Sequence, residues 1–114
     1  MPTILLSEPD PDVRRLLVLL LERLGHDVVS LDGWPVVPPE ADLMVLEPAS
    51  AVGLDQARVA RSAQPDLPIL CVSVLPDEGR FLELGPLEYL PKPFALTELR
   101  SAVEDGISLA VRAA

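Results

Sequence analysis

The chain has 114 residues, 49% hydrophobic but only 4% aromatic, with a single cysteine and a net charge of −9. That length suits one domain, 1–114, with a core of Leu, Val, Ile and Ala, and the acidity argues against nucleic acid as a direct partner. No apolar run is long enough to span a bilayer, Met1-Pro2-Thr3 offers no basic leader region, and the lone Cys71 cannot form an internal disulfide, so a cytoplasmic chain with no membrane segment is expected.

Thr3-Ile4-Leu5-Leu6-Ser7 reads as a short buried strand that Glu8-Pro9-Asp10 ends. Asp10 then suits a helix cap, Pro11 the first helical turn, and Asp12 the positive end of the helix dipole. Val13, Leu16, Leu17, Leu20 and Leu24 recur at helical spacing, and Gly25 is a natural stop. Residues 27–31 form a second strand and residues 43–46 a third, closed by Glu47-Pro48. Leu54 to Ser62 is helix-like; residues 69–73 make a fourth strand. Glu78 to Leu84 reads as a brief helix closed by Gly85, Glu88-Tyr89-Leu90 as a fifth strand, and Leu96, Leu99, Val103, Ile107 and Ala110 as one face of a last helix.

Strands that alternate with helices imply parallel pairing, and apolar strands without a polar alternation imply burial on both faces. The expected fold is an α/β, flavodoxin-like, doubly wound sheet of five strands. The crossover between Leu31 and Leu43 is unusual because it holds Pro35, Pro38 and Pro39. Its helix is therefore expected to be shortened or missing, with Trp34 packing as a lid over the sheet rather than anchoring a partner. In such sheets the working groups gather beyond the carboxyl ends of the strands. Those groups are Glu8 and Asp10, Glu47, Ser73 and Lys92, drawn from four strands.

Lys92 is the chain's only lysine among nine basic residues. A sequence that uses arginine everywhere else points here to a site that wants a compact charge rather than a planar fork. Pro91 and Pro93 stiffen the backbone around it, and Lys92–Pro93 is a type of bond that tolerates the cis form.

Together, Ile4 to Asp10, Pro68 to Ser73 and Tyr89-Leu90-Pro91-Lys92-Pro93-Phe94 resemble the receiver domain of bacterial two-component response regulators, over essentially the whole chain. The lysine segment is the specific part; the others are weak singly but fall in the right order. The resemblance implies a CheY-like sheet of order 2-1-3-4-5 and a site at which an aspartate ending the third strand accepts a phosphoryl group from a histidine kinase. Two acids after the first strand would help to hold Mg²⁺, the Ser73 and Lys92 equivalents would contact phosphoryl oxygens, and the Tyr89 equivalent would be a switch aromatic. In-line transfer needs such a metal and cation to offset the charge on the moving group.

Two positions depart from that pattern. Glu47 stands at the acceptor position and Pro9 where the second metal-site acid belongs. One extra methylene displaces the carboxylate, and a misplacement of about 1 Å costs about a hundredfold in rate. Proline offers no carboxylate, so an octahedral Mg²⁺ site loses a ligand; Asp10 is a substitute already engaged as a cap. The backbone carbonyl of Ala49, the family's further metal ligand by position, is set beside Pro48. Lys92 is instead expected to form an ion pair with Glu47. That contact is read first as a buried salt bridge ordering the loops, and second as an imitation of a phosphorylated aspartate. The interval from Ser73 to Tyr89 is shorter than the family's, so a frozen switch is expected.

The resulting expectation is a degenerate receiver, a pseudo-receiver: not an enzyme, with no cofactor, acting through protein partners at the family's fourth helix, the fifth strand and the last helix, or as a homodimer. The alternative is an active Mg²⁺-dependent receiver in which Glu8, Asp10 and Glu47 bind the metal and one acid accepts phosphate. A different class of binder or hydrolase finds no support: no Gly-rich loop follows the first strand, and the lone His26 lacks a Ser/His/Asp set and reads as structural or solvated.

Overall fold

The structure is a computed structural model and describes residues 1–31, 39–74, 85 and 88–113. The expected helix over 78–84, Trp34, and most of the crossover expected to lack a regular helix lie outside the described residues.

The described elements run β1 (Thr3–Ser7), α1 (Pro11–Arg23), β2 (Asp27–Ser30), β3 (Leu43–Leu46), α2 (Ala51–Ala63), β4 (Ile69–Ser73), β5 (Glu88–Pro91) and α3 (Leu96–Ala113). The strands form one five-stranded sheet in the order β2-β1-β3-β4-β5, and every pair is parallel. This is the doubly wound arrangement that the alternation of strands and helices predicts.

Period-two geometry divides each buried strand between two cores. Ile4, Leu6, Leu43, Val45, Leu70 and Val72 face α1 and α3, where Leu17, Leu21, Leu99, Ala102 and Val103 meet them. Leu5, Met44, Leu46, Ile69 and Cys71 face the other way, onto Ala57 and Ala60 of α2 and onto Leu67. Cys71 is fully buried and free. Deleting any one of these large side chains to alanine costs about 2–5 kcal/mol, so the sheet core rests on two independent sets of contacts.

Local chemistry sets the helix ends. The Asp10 side chain accepts from the backbone N–H groups of Asp12 and Val13, and Pro11 opens α1. Gly25 follows the end of α1 at φ 96°, a left-handed conformation that glycine adopts without strain. His26, half-buried before β2, has a buried Nδ1 without a hydrogen-bond partner. Helix α2 begins at Ala51, earlier than the expected Leu54, because the Ser50 side chain caps it by accepting from the Gly53 N–H at 3.1 Å. Gly53 sits inside the helix for a packing reason. A Cβ there would lie 3.0 Å from both Leu46 Cδ1 and Ser7 Oγ. The glycine lets the first turn of α2 press directly onto the carboxyl ends of β1 and β3.

Candidate functional site

The parallel register pairs Ser7 of β1 with Leu46 of β3, and the Glu47 N–H donates to the Ser7 carbonyl at 2.9 Å. The next residues on the two strands, Glu8 and Glu47, therefore lie side by side at the carboxyl edge of the sheet. Both are buried, at 6% and 8% exposure. Two neighbouring carboxylates shielded from water need a cation.

Lys92 supplies it. β5 pairs with β4 so that Pro91 lies opposite Ser73, and the Lys92 N–H donates to the Ser73 carbonyl at 2.8 Å. The side chain then reaches back over the strand ends. Its Nζ donates to Glu8 Oε1 at 2.5 Å and stands 3.7 Å from Glu47 Oε1. The nearer partner is thus Glu8, where the sequence reading had placed Glu47; Glu47 takes part as the longer, second contact. The peptide between Lys92 and Pro93 is cis.

The two acids differ in what else they hold. Glu8 Oε2 accepts from the Asp10 N–H at 3.3 Å, and the Glu8 carbonyl accepts from Arg14 Nη1 at 3.2 Å. Glu47 Oε2 is buried and has no hydrogen-bond partner. Asp10 does not enter the pocket: it is exposed, and its carboxylate is committed to the start of α1.

Ser73 is fully buried at the end of β4, within the same edge. Tyr89, opposite Cys71 in the register, is half-buried against the α2-side core. The structure therefore brings Glu8, Glu47, Ser73 and Lys92 together and leaves Asp10 and Tyr89 outside that group.

Three residues that sequence reasoning did not select complete the site's floor. Ser7 Oγ donates to Gln56 Oε1 at 2.6 Å, and Gln56 Nε2 donates to the Leu31 carbonyl at 3.1 Å. Gln56 is only 4% exposed and lies on the same helix face as Gly53, Ala57 and Ala60. This network ties the ends of β1 and β2 to α2, beginning at Ser7, the residue before Glu8. The available signal was a glutamine in line with small residues at helical spacing, which marks a polar group facing the core.

The receiver resemblance implies Mg²⁺, and the donors can be tested against it. The ion takes six oxygens in near-ideal octahedral geometry. Glu8 spends one oxygen on Lys92 and the other on Asp10; Asp10 spends its carboxylate on the helix; Pro9 has none. Glu47 Oε2 is buried without a hydrogen-bond partner, and the exposed Asp10 caps α1 through Oδ1. Among the described residues no group of three or more His, Cys, Asp or Glu side chains is placed to hold a metal ion. The donor set as arranged does not fit Mg²⁺, and the ammonium of Lys92 stands between the acids instead.

No family model matches the chain. Individual relatives do. The DNA-binding transcriptional regulator NtrC of Azospirillum brasilense is 35% identical over 93% of this chain and 24% of its own length. The response regulator receiver protein CpdR of Brucella abortus (strain 2308) is 30% identical over 91% of this chain and 95% of its own. Among solved structures, the receiver domain of the sensor histidine kinase PA1611 from Pseudomonas aeruginosa PAO1, with a magnesium ion coordinated in its active site cleft, superposes with a TM-score of 0.79. It is 25% identical, covering 94% of this chain and 98% of that one. The chain spans about a quarter of the length of the NtrC relatives, 24% and 22%.

Proposed function

We propose a function from one premise: this chain belongs to the response regulator receiver family, the signalling modules of two-component systems. Within that family it acts as a pseudo-receiver, without phosphoryl transfer, without a metal and without catalysis of its own. It works in the cytoplasm through protein–protein contacts at β5, α3 and the 78–84 segment. No described helix is long and apolar enough to cross a membrane.

The observation that carries this reading is the position of Lys92 Nζ, 2.5 Å from Glu8 and 3.7 Å from Glu47. The cation that would meet an incoming phosphoryl group already neutralises the acid that would hold the metal. Glu47 replaces the acceptor aspartate and Pro9 removes a metal-site carboxylate, so both the acceptor and the metal site of an in-line transfer are altered.

One observation favours a second reading. Glu47 Oε2 lacks a hydrogen-bond partner, and a Mg²⁺ ion arriving there with Glu8 would make an active receiver. Incubation with acetyl phosphate and Mg²⁺ followed by intact mass measurement decides between them. The expected result is an unchanged mass; a labile phosphate adduct overturns the pseudo-receiver. In a separate Mg²⁺ titration by calorimetry, Pro9→Asp with Glu47→Asp is expected to regain Mg²⁺ binding, since Ser73 and Lys92 are retained. A double variant that binds no more metal than the wild type assigns the loss to the loops rather than to the ligands.

A further inference from the structure

We propose that α1 is a self-association surface that pairs with α1 of a second copy of this chain, antiparallel and about a twofold axis. The reading is independent of the acid pocket, because it uses the outer face of α1.

That face carries Asp12, Leu16, Leu19 and Arg23, all exposed. Leu16 is 50% and Leu19 46% exposed, whereas Leu17 and Leu21 of the same helix are buried against the sheet. At 3.6 residues per turn the four exposed positions fall within about 60° of one another. Their spacing is four, three, four, the spacing of a coiled-coil seam. The helix is thus apolar on two sides, and the sheet accounts for only one of them.

The identity of the occupant follows from the charges. In an antiparallel pair with its axis between Leu17 and Val18, Leu16 lies opposite Leu19 of the second copy, and Asp12 opposite Arg23 of the second copy. The stripe is its own complement, with leucines at the centre and opposite charges at the ends. Such self-complementarity is what a twofold interface requires. Net charge agrees. α1 carries three arginines (Arg14, Arg15, Arg23) and two acids (Asp12, Glu22), hence +1, in a chain of −9. Two copies meeting on α1 bring together surfaces near neutrality rather than the acidic remainder of each chain. The exposed Asp12–Arg15 pair within the helix, with side chains 85% and 75% exposed, does not compete strongly, because pairs in open solvent contribute little.

One helix seam is smaller than the roughly 800 Å² per partner of a stable interface, which sets a weak dimer with Kd on the order of 100 µM. Sedimentation equilibrium of the 114-residue chain from about 10 to about 500 µM reads this range directly. Association is expected to weaken at least about tenfold in Leu19→Arg, with Leu16→Gln as a second variant should Leu19→Arg lower the melting temperature. Asp12→Arg is expected to weaken it about threefold, and Asp12→Arg with Arg23→Asp to restore it. Circular dichroism shows that each variant is folded. A chain that stays monomeric throughout overturns the proposal, as does association unaffected in both leucine variants. A charge-swapped double variant no tighter than Asp12→Arg overturns the antiparallel register.

Discussion

Glu8 and Glu47 end neighbouring strands, are buried to nearly the same degree and share one lysine, yet they are held very differently. Glu8 has Lys92 at 2.5 Å on one oxygen and the Asp10 N–H on the other, with Arg14 on its carbonyl. Glu47 has Lys92 at 3.7 Å and one buried oxygen with no hydrogen-bond partner. The satisfied acid follows β1, at the start of the loop into the α1 cap, and the under-satisfied one follows β3, at the start of the loop that leads into α2. The difference teaches that the lysine serves chiefly to neutralise Glu8, and that Glu47 is left with a buried oxygen that nothing satisfies.

Removing the shared cation tests this most severely. Lys92→Met leaves two buried carboxylates without their cation and is expected to destabilise the fold by about 3–5 kcal/mol, measured by urea unfolding. A cost below about 1 kcal/mol would mean that water, rather than Lys92, holds the acids. The contrast between the acids is the next test. Glu8→Gln is expected to cost about 2–3 kcal/mol and Glu47→Gln under about 1 kcal/mol. Double-mutant cycles with Lys92→Met should give the larger coupling to Glu8; equal couplings would erase the comparison. Outside the pocket, Asp10→Ala is expected to cost about 1 kcal/mol from the lost helix cap. Its check is specific: the Glu8–Lys92 coupling should not change, because the Asp10 carboxylate lies outside the pocket and only its backbone N–H touches Glu8.

Much of this was legible in the sequence where the signal is local. The strands Thr3–Ser7, Leu43–Leu46 and Ile69–Ser73 match their apolar runs, since burial on both faces leaves no polar residue to blur the ends. Asp10, Pro11 and Gly25 mark α1 because caps and left-handed turns are properties of single residues. The start of α2 was less legible: Ser50 acts as its cap, and Gly53, taken alone, does not disclose that it is needed for close approach to Leu46 and Ser7. The members of the acid pocket could be named from their places at strand ends. Which of two acids Lys92 prefers could not, because that depends on how a long side chain crosses the ends of β4 and β3, and no spacing in the sequence encodes it. Gln56 was missed for a similar reason: its partners, Ser7 and the Leu31 carbonyl, come from other strands.

The Lys92–Glu8 contact joins residues 84 positions apart. A link of that range can form only once the strands between its ends have found their register, because closing so long a loop in a disordered chain has a large entropic cost. The pair is therefore a latch on a finished sheet and not a guide to its assembly. Weakening it is expected to speed unfolding more than it slows folding, which the two arms of a chevron plot would read.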